Sequence, residues 1–93
     1  MKFKSNAKYG QPVESGSVYE GRIGNIIISV HHIYGGKEWY LSCHSLNISQ
    51  RELKSEGLIS AINEAKEILK KKVEDLQKDI NAFCEENIEI SRY

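Results

Sequence analysis

Apolar residues recur at spacings of three and four from Leu58 through Ile62, Ala65, Leu69, Val73, Leu76 and Ile80 to Phe83, a pattern that predicts one long amphipathic helix over 57–86. At ~1.5 Å per residue such a helix is roughly 44 Å long. A compact chain of 93 residues is only about 32 Å across. The helix is therefore expected to overhang its own domain, with an apolar stripe that runs to its far end. From Val73 to Phe83 the step is heptad-like, whereas Ile62 to Val73 spans eleven residues, so no continuous coiled coil is specified. Glu67 with Lys71 and Glu74 with Lys78 have the favoured i,i+4 order for ion pairs. Asn87 is a plausible stop, and Ile88-Glu89-Ile90-Ser91-Arg92-Tyr93 then alternates as a terminal strand over 88–93.

Upstream the period changes to two. Residues 18–48 read as antiparallel strands, and Gly35-Gly36 between two β-rich runs is a two-residue hairpin signal. Closing the chain there places His32 opposite Trp39, His31 opposite Tyr40, Val30 opposite Leu41, Ser29 opposite Ser42 and Ile28 opposite Cys43. One face then collects Ile26, Ile28, Val30, Trp39, Leu41 and Cys43 and is the expected core face. The other collects Ile27, Ser29, His31, Ile33, Glu38, Tyr40, Ser42 and His44. Gly24-Asn25 fits either a second turn or a bulge in a continuous strand. Ile48-Ser49-Gln50-Arg51-Glu52-Leu53 has the form of a capping box with a hydrophobic staple, which predicts a short helix ended by Gly57 before the long one. Residues 1–17 read as an arm or loop, with a short edge strand around Phe3 as the alternative. The expected fold is a single α+β domain over 1–93: a small antiparallel sheet, hairpin or meander, packed on one face by the long helix.

Charge changes this picture only where it is uneven. The 13 basic and 13 acidic residues cancel, which argues against affinity from general phosphate neutralisation. Residues 1–73, however, hold 11 Lys or Arg against 7 acids, a net of +4, and residues 74–93 hold 6 acids against Lys78 and Arg92, a net of −4. Carboxylates at a helix C-terminus oppose the helix dipole. Glu74, Asp75, Asp79, Glu85 and Glu86 are thus a candidate surface for a basic partner. Lys66, Lys70, Lys71 and Lys72 are the candidate phosphate contacts of an alternative nucleic-acid or nucleotide-binding reading. No apolar run approaches a membrane span, and Lys2 and Lys4 are followed by no apolar signal region, so a cytoplasmic setting with reduced thiols is expected for Cys43 and Cys84.

The three histidines are the residues that invite chemistry. In the hairpin register His31 and His44 share a face but sit roughly 13 Å apart, too far for one metal ion. Adjacent strand residues point to opposite faces, so Cys43 and His44 do not converge with Cys84 on a metal. Gly21-Arg22-Ile23-Gly24-Asn25 lacks the helix and basic residue of a phosphate loop. No catalytic residue, metal or cofactor is expected, and a His-dependent enzyme ranks below both binding readings.

In size, composition and motif-poor sequence the chain is similar to the small phage and mobile-element proteins that inhibit host systems, anti-CRISPR proteins among them. The resemblance implies a small non-enzymatic protein that acts by occupying a macromolecular partner. Two further surfaces are expected to serve such a role. His31, Ile33, Tyr40 and His44 on the outer sheet face suit protein recognition. Leu76, Ile80 and Phe83 suit self-association as a homodimer, because burial against a second copy would remove them from water.

Overall fold

Glycine at the first position of a two-residue turn can take the positive φ that a tight hairpin needs, and Gly24 does so at 58°. The turn Gly24-Asn25 joins β2 (Val18–Ile23) to β3 (Ile26–His31), with Ile23 directly opposite Ile26. Gly24-Asn25 is therefore a turn and not a bulge. The computed structural model describes residues 2–33 and 35–92. Around the hairpin lie β1 (Phe3–Ser5), β4 (Tyr40–Cys43) and β5 (Ile48–Glu52), which complete a five-stranded antiparallel meander in the order β1-β2-β3-β4-β5. One helix, α1 (Leu58–Glu85), closes the chain. The architecture is the α+β arrangement of sheet plus long helix.

The expected register between β3 and β4 is present, with Ser29 opposite Ser42, Val30 opposite Leu41 and His31 opposite Tyr40. The connection is longer than a two-residue hairpin. The strands part after His31, and the reversal is made where the Gly36 amide donates to the Ile33 carbonyl at 2.8 Å, with Gly35 at φ 76°. Val30, Leu41 and Cys43 are fully enclosed, joined by Tyr19, Trp39, Ile48 and Leu53, and α1 seals them with Ala61 and Ala65. Alanines at these two positions let the helix lie close to the sheet. Phe3, Ile28, Leu58, Ile62, Ile68 and Leu69 pack around this centre.

Trp39 ties the layers together. Its indole donates to the Glu56 carbonyl at 3.0 Å, its ring lies 3.7 Å from that of His32, and its carbonyl accepts the Leu53 amide at 2.8 Å. The N-terminal segment is equally anchored. The Asn6 side chain accepts the amides of Ser17 and Val18, and the Val13 carbonyl accepts the hydroxyls of Ser5 and Tyr19. The alternative of an edge strand near Phe3 is thus the one adopted, in place of a free arm.

Three expectations are corrected. Residues 48–52 form β5 instead of a short capped helix, and Gly57 is the N-cap of α1 instead of a C-cap. Over the described part of the expected terminal strand, 88–92, no strand forms; Tyr93 lies outside the described residues. On α1 the ion pair formed is Lys71–Asp75 at 3.1 Å, one step from the expected Glu67–Lys71.

The strand at 48–52 wins because the free edge of β4 offers ladder partners to Ile48, Arg51 and Glu52, whereas a two-turn helix is marginal alone. An irregularity between Leu41 and Cys43 sets Ser49 and Gln50 against Ser42, and Gln50 takes φ 48°. A left-handed residue other than glycine costs about 1 kcal/mol. The Gln50 amide donating to the Ser42 hydroxyl at 3.0 Å offsets part of that cost.

Glu64 locks the linker between β5 and α1. Its carboxylate accepts the amides of Lys54 and Ser55 at 2.9 Å and the Ser55 hydroxyl at 2.8 Å. The Lys54 amide is the main cause holding its pKa below the ordinary 4.5; partial burial opposes, and the Ser55 hydroxyl and amide and the Lys54 charge assist. A depressed folded pKa means that this stability is complete above the unfolded value and is lost as pH falls through the folded one. Glu64→Gln should therefore lower stability at pH 7 by about 1 kcal/mol. Urea midpoints of the two proteins should converge as the pH drops below 4.5; a constant difference down to the acid limit would show that the charge contributes nothing.

Candidate functional site

The packed part of α1 ends near Leu69, at the level of Ile28, yet the helix continues for four more turns. At about 42 Å it makes the chain a rod of 61 × 25 × 24 Å. It runs toward the end of the sheet that carries the β2–β3 turn and the 44–47 loop. Beyond them the stripe emerges, with Val73 49%, Leu76 41%, Ile80 59% and Phe83 65% exposed. At ~100° per residue these four fall on the side of the helix that Leu58, Ile62, Ala65 and Leu69 turn toward the sheet. The same apolar face thus covers the core in its first half and meets solvent in its second. Next to it, on the helix-facing side of the β2–β3 turn, Ile23 and Ile26 are 58% and 39% exposed. A groove of about 380 Å³ lined by Phe3, Ile28, Ile62 and Leu69 leads toward them along the helix.

The charged residues are distributed differently from a pair of patches. By helical angle, Lys66 and Lys70 share one side, Lys71 lies on another, where it pairs with Asp75, and Lys72 borders the apolar stripe. The four lysines do not form one cationic surface. The acidic set divides in the same way. Asp79 flanks the stripe, Asp75 lies farther round beside Lys71, Glu74 and Glu85 point away from the stripe, and Glu86 stands at the helix end.

On the outer sheet face the four expected residues are not brought together. His31 and Tyr40 stack, with ring centroids 6.1 Å apart. Ile33 lies beyond the strand end in the 32–39 connection, and His44 starts the turn at the opposite end of the sheet. Sequence reading missed what His31 does. Its Nδ1 is 3.0 Å from the His32 carbonyl, an acceptor, so Nδ1 carries the proton; Nε2, 2.9 Å away, then accepts the Ser42 hydroxyl. Ser42 in turn accepts the Gln50 amide. Both ring nitrogens and the hydroxyl are spent on joining β3, β4 and β5. The pairing of Ser29 with Ser42, already legible in the register, was the signal that places Ser42 beside His31.

Cys43 is buried and Cys84 is exposed on the overhang. Among the described residues no cluster of His, Cys, Asp or Glu could hold a metal ion, and no helix is long and apolar enough to cross a membrane. No protein-family model matches the sequence, and comparisons with curated proteins and with solved structures give no significant match.

Proposed function

We propose that this chain is a non-catalytic binding protein that acts by occupying a macromolecular partner, the mode implied by its likeness in size and composition to small phage and mobile-element inhibitors. One observation carries this reading. Four large apolar side chains stand 41–65% exposed in a row along a helix that projects beyond its own domain. Exposed apolar residues scattered singly are ordinary, but a contiguous row rimmed by charge marks an interaction surface. Leaving such residues in water forgoes on the order of 1 kcal/mol or more each. Asp79 beside the row and Glu86 at the helix end favour a partner surface with basic residues at its margin.

Retention of binding partners from a native lysate, compared for wild type and Phe83→Glu, tests the reading. Because Phe83 is exposed, the variant should fold like wild type by circular dichroism while losing its partner at least about tenfold. A nucleic-acid-binding function would behave otherwise. It would survive Phe83→Glu, fail in Lys66→Ala/Lys70→Ala, and weaken steeply with salt. That outcome would overturn the proposal.

A further inference from the structure

We propose that the occupant of the overhanging stripe is a second copy of this chain, held antiparallel in a single register; the inference rests on the stripe being a binding surface and names what binds it. The spacing of the stripe is self-complementary. Val73, Leu76, Ile80 and Phe83 follow a three-four-three step. Reversing a second helix so that Val73 meets Phe83 of the other copy also sets Leu76 against Ile80. Four apolar layers then form around a two-fold axis near Lys78, with no apolar position unmatched.

The geometry of the body accommodates this register. In it each sheet ends where the helix of the other copy ends, since the gap between the two bodies is the length of one overhang. Phe83 of the second copy arrives beside the β2–β3 turn, where Ile23 and Ile26 are exposed on the helix side. Charge agrees at both ends of the seam. Lys72, bordering the stripe, faces Glu86 of the second copy, and the two-fold axis repeats the pair. Glu86 at a helix C-terminus, unfavourable to its own helix dipole, thereby gains a reason to be there. At the centre the same register brings Asp79 next to Asp79 of the second copy, a like-charge pair that weakens the dimer.

The area sets the strength. Six large apolar residues half exposed in each copy offer roughly 500 Å², so a pair buries about 1,000 Å², the lower bound for a specific interface. The dimer should therefore be a weak one, with a dissociation constant on the order of micromolar.

Sedimentation equilibrium across about 1–300 µM tests association, bracketing that value. Wild type should pass from monomer to dimer, and Ile80→Glu should raise the dissociation constant at least about tenfold. Ile59→Glu, at a still more exposed isoleucine on the same helix outside the overhang, should leave it unchanged. Asp79→Asn should tighten the dimer several-fold, an effect peculiar to a register that juxtaposes the two aspartates. Exposed Cys84 reports the direction of pairing, with buried Cys43 silent. Spin labels there should lie roughly 20–30 Å apart in the antiparallel dimer, because Cys84 falls about 18 Å along the axis from its equivalent. Labels within about 10 Å, the separation of equivalent residues on parallel neighbouring helices, would overturn the register. A wild type that stays monomeric at every concentration would overturn the dimer. If that monomer still loses a lysate partner on Ile80→Glu but not on Ile59→Glu, the stripe serves a different macromolecule. If it loses nothing, the stripe is no binding surface and the proposed function fails with it.

Discussion

Val30→Asp should leave the protein unfolded at room temperature, while Ser29→Asp, one residue away, should fold. Val30 is fully enclosed opposite Leu41 and beneath the helix, and the Tyr19 hydroxyl and Trp39 indole N–H in the surrounding core are already spent on the Val13 and Glu56 carbonyls. A carboxylate placed there meets no counter-charge and no uncommitted hydroxyl or indole donor. Its desolvation, or the upward pKa shift that avoids ionisation, costs several kcal/mol. That is comparable with the whole stability of a domain this small. Ser29 sits on the other face of the same strand, where water reaches the new charge. Circular dichroism and urea titration of both variants decide the point. Comparable stability of the two would mean that the strand faces are assigned the wrong way round.

Trp39→Ala should destabilise the fold by about 3–5 kcal/mol, and far more than Tyr40→Ala at the next position. The indole fills the space between Tyr19 and His32, and the alanine would leave a cavity there. The Glu56 carbonyl, now served by the indole N–H at 3.0 Å, would also lose its donor. Tyr40, by contrast, stacks on His31 on the outer face and is only half-buried. Trp39→Phe separates the two effects, since it keeps most of the volume and loses the hydrogen bond; its cost should be about 1–2 kcal/mol. An equal effect of Trp39→Ala and Tyr40→Ala on the urea midpoint would refute the role given to the indole. Since α1 starts one residue after Gly57, the same variant should also loosen the helix from the sheet, and faster amide exchange at Ala61 and Ala65 would register it.

How far the sequence could be read depended on how local each determinant was. The register of β3 on β4 follows from the alternation of Val30, Leu41 and Cys43 against Ser29 and Ser42, and it was legible even though the chain does not turn at Gly35-Gly36 alone. The long helix was legible for the same reason. Its stripe repeats over about seven turns, and no other element could bury residues spaced three and four apart. That the stripe would outrun the body follows from length alone, and the exposed residues Leu76, Ile80 and Phe83 are where that arithmetic placed them, with Val73 exposed one turn earlier than expected.

What the tertiary structure decided lies where local and distant interactions compete. Ile48 and Leu53 are five residues apart, which in a regular strand puts them on opposite faces, yet both are buried. The left-handed Gln50 inserts an extra residue into β5 and turns both inward. That irregularity hides the strand from a period-two reading and leaves Ser49 and Glu52 looking like a helix cap. The deciding energy is the ladder along β4, a partner absent from the segment's own sequence. The lysines failed for a related reason. Lys70, Lys71 and Lys72 are adjacent in the chain, but a helix rotates each about 100° from the last, so neighbours in sequence are scattered in space. Residues four apart, such as Lys71 and Asp75, are the ones it brings together.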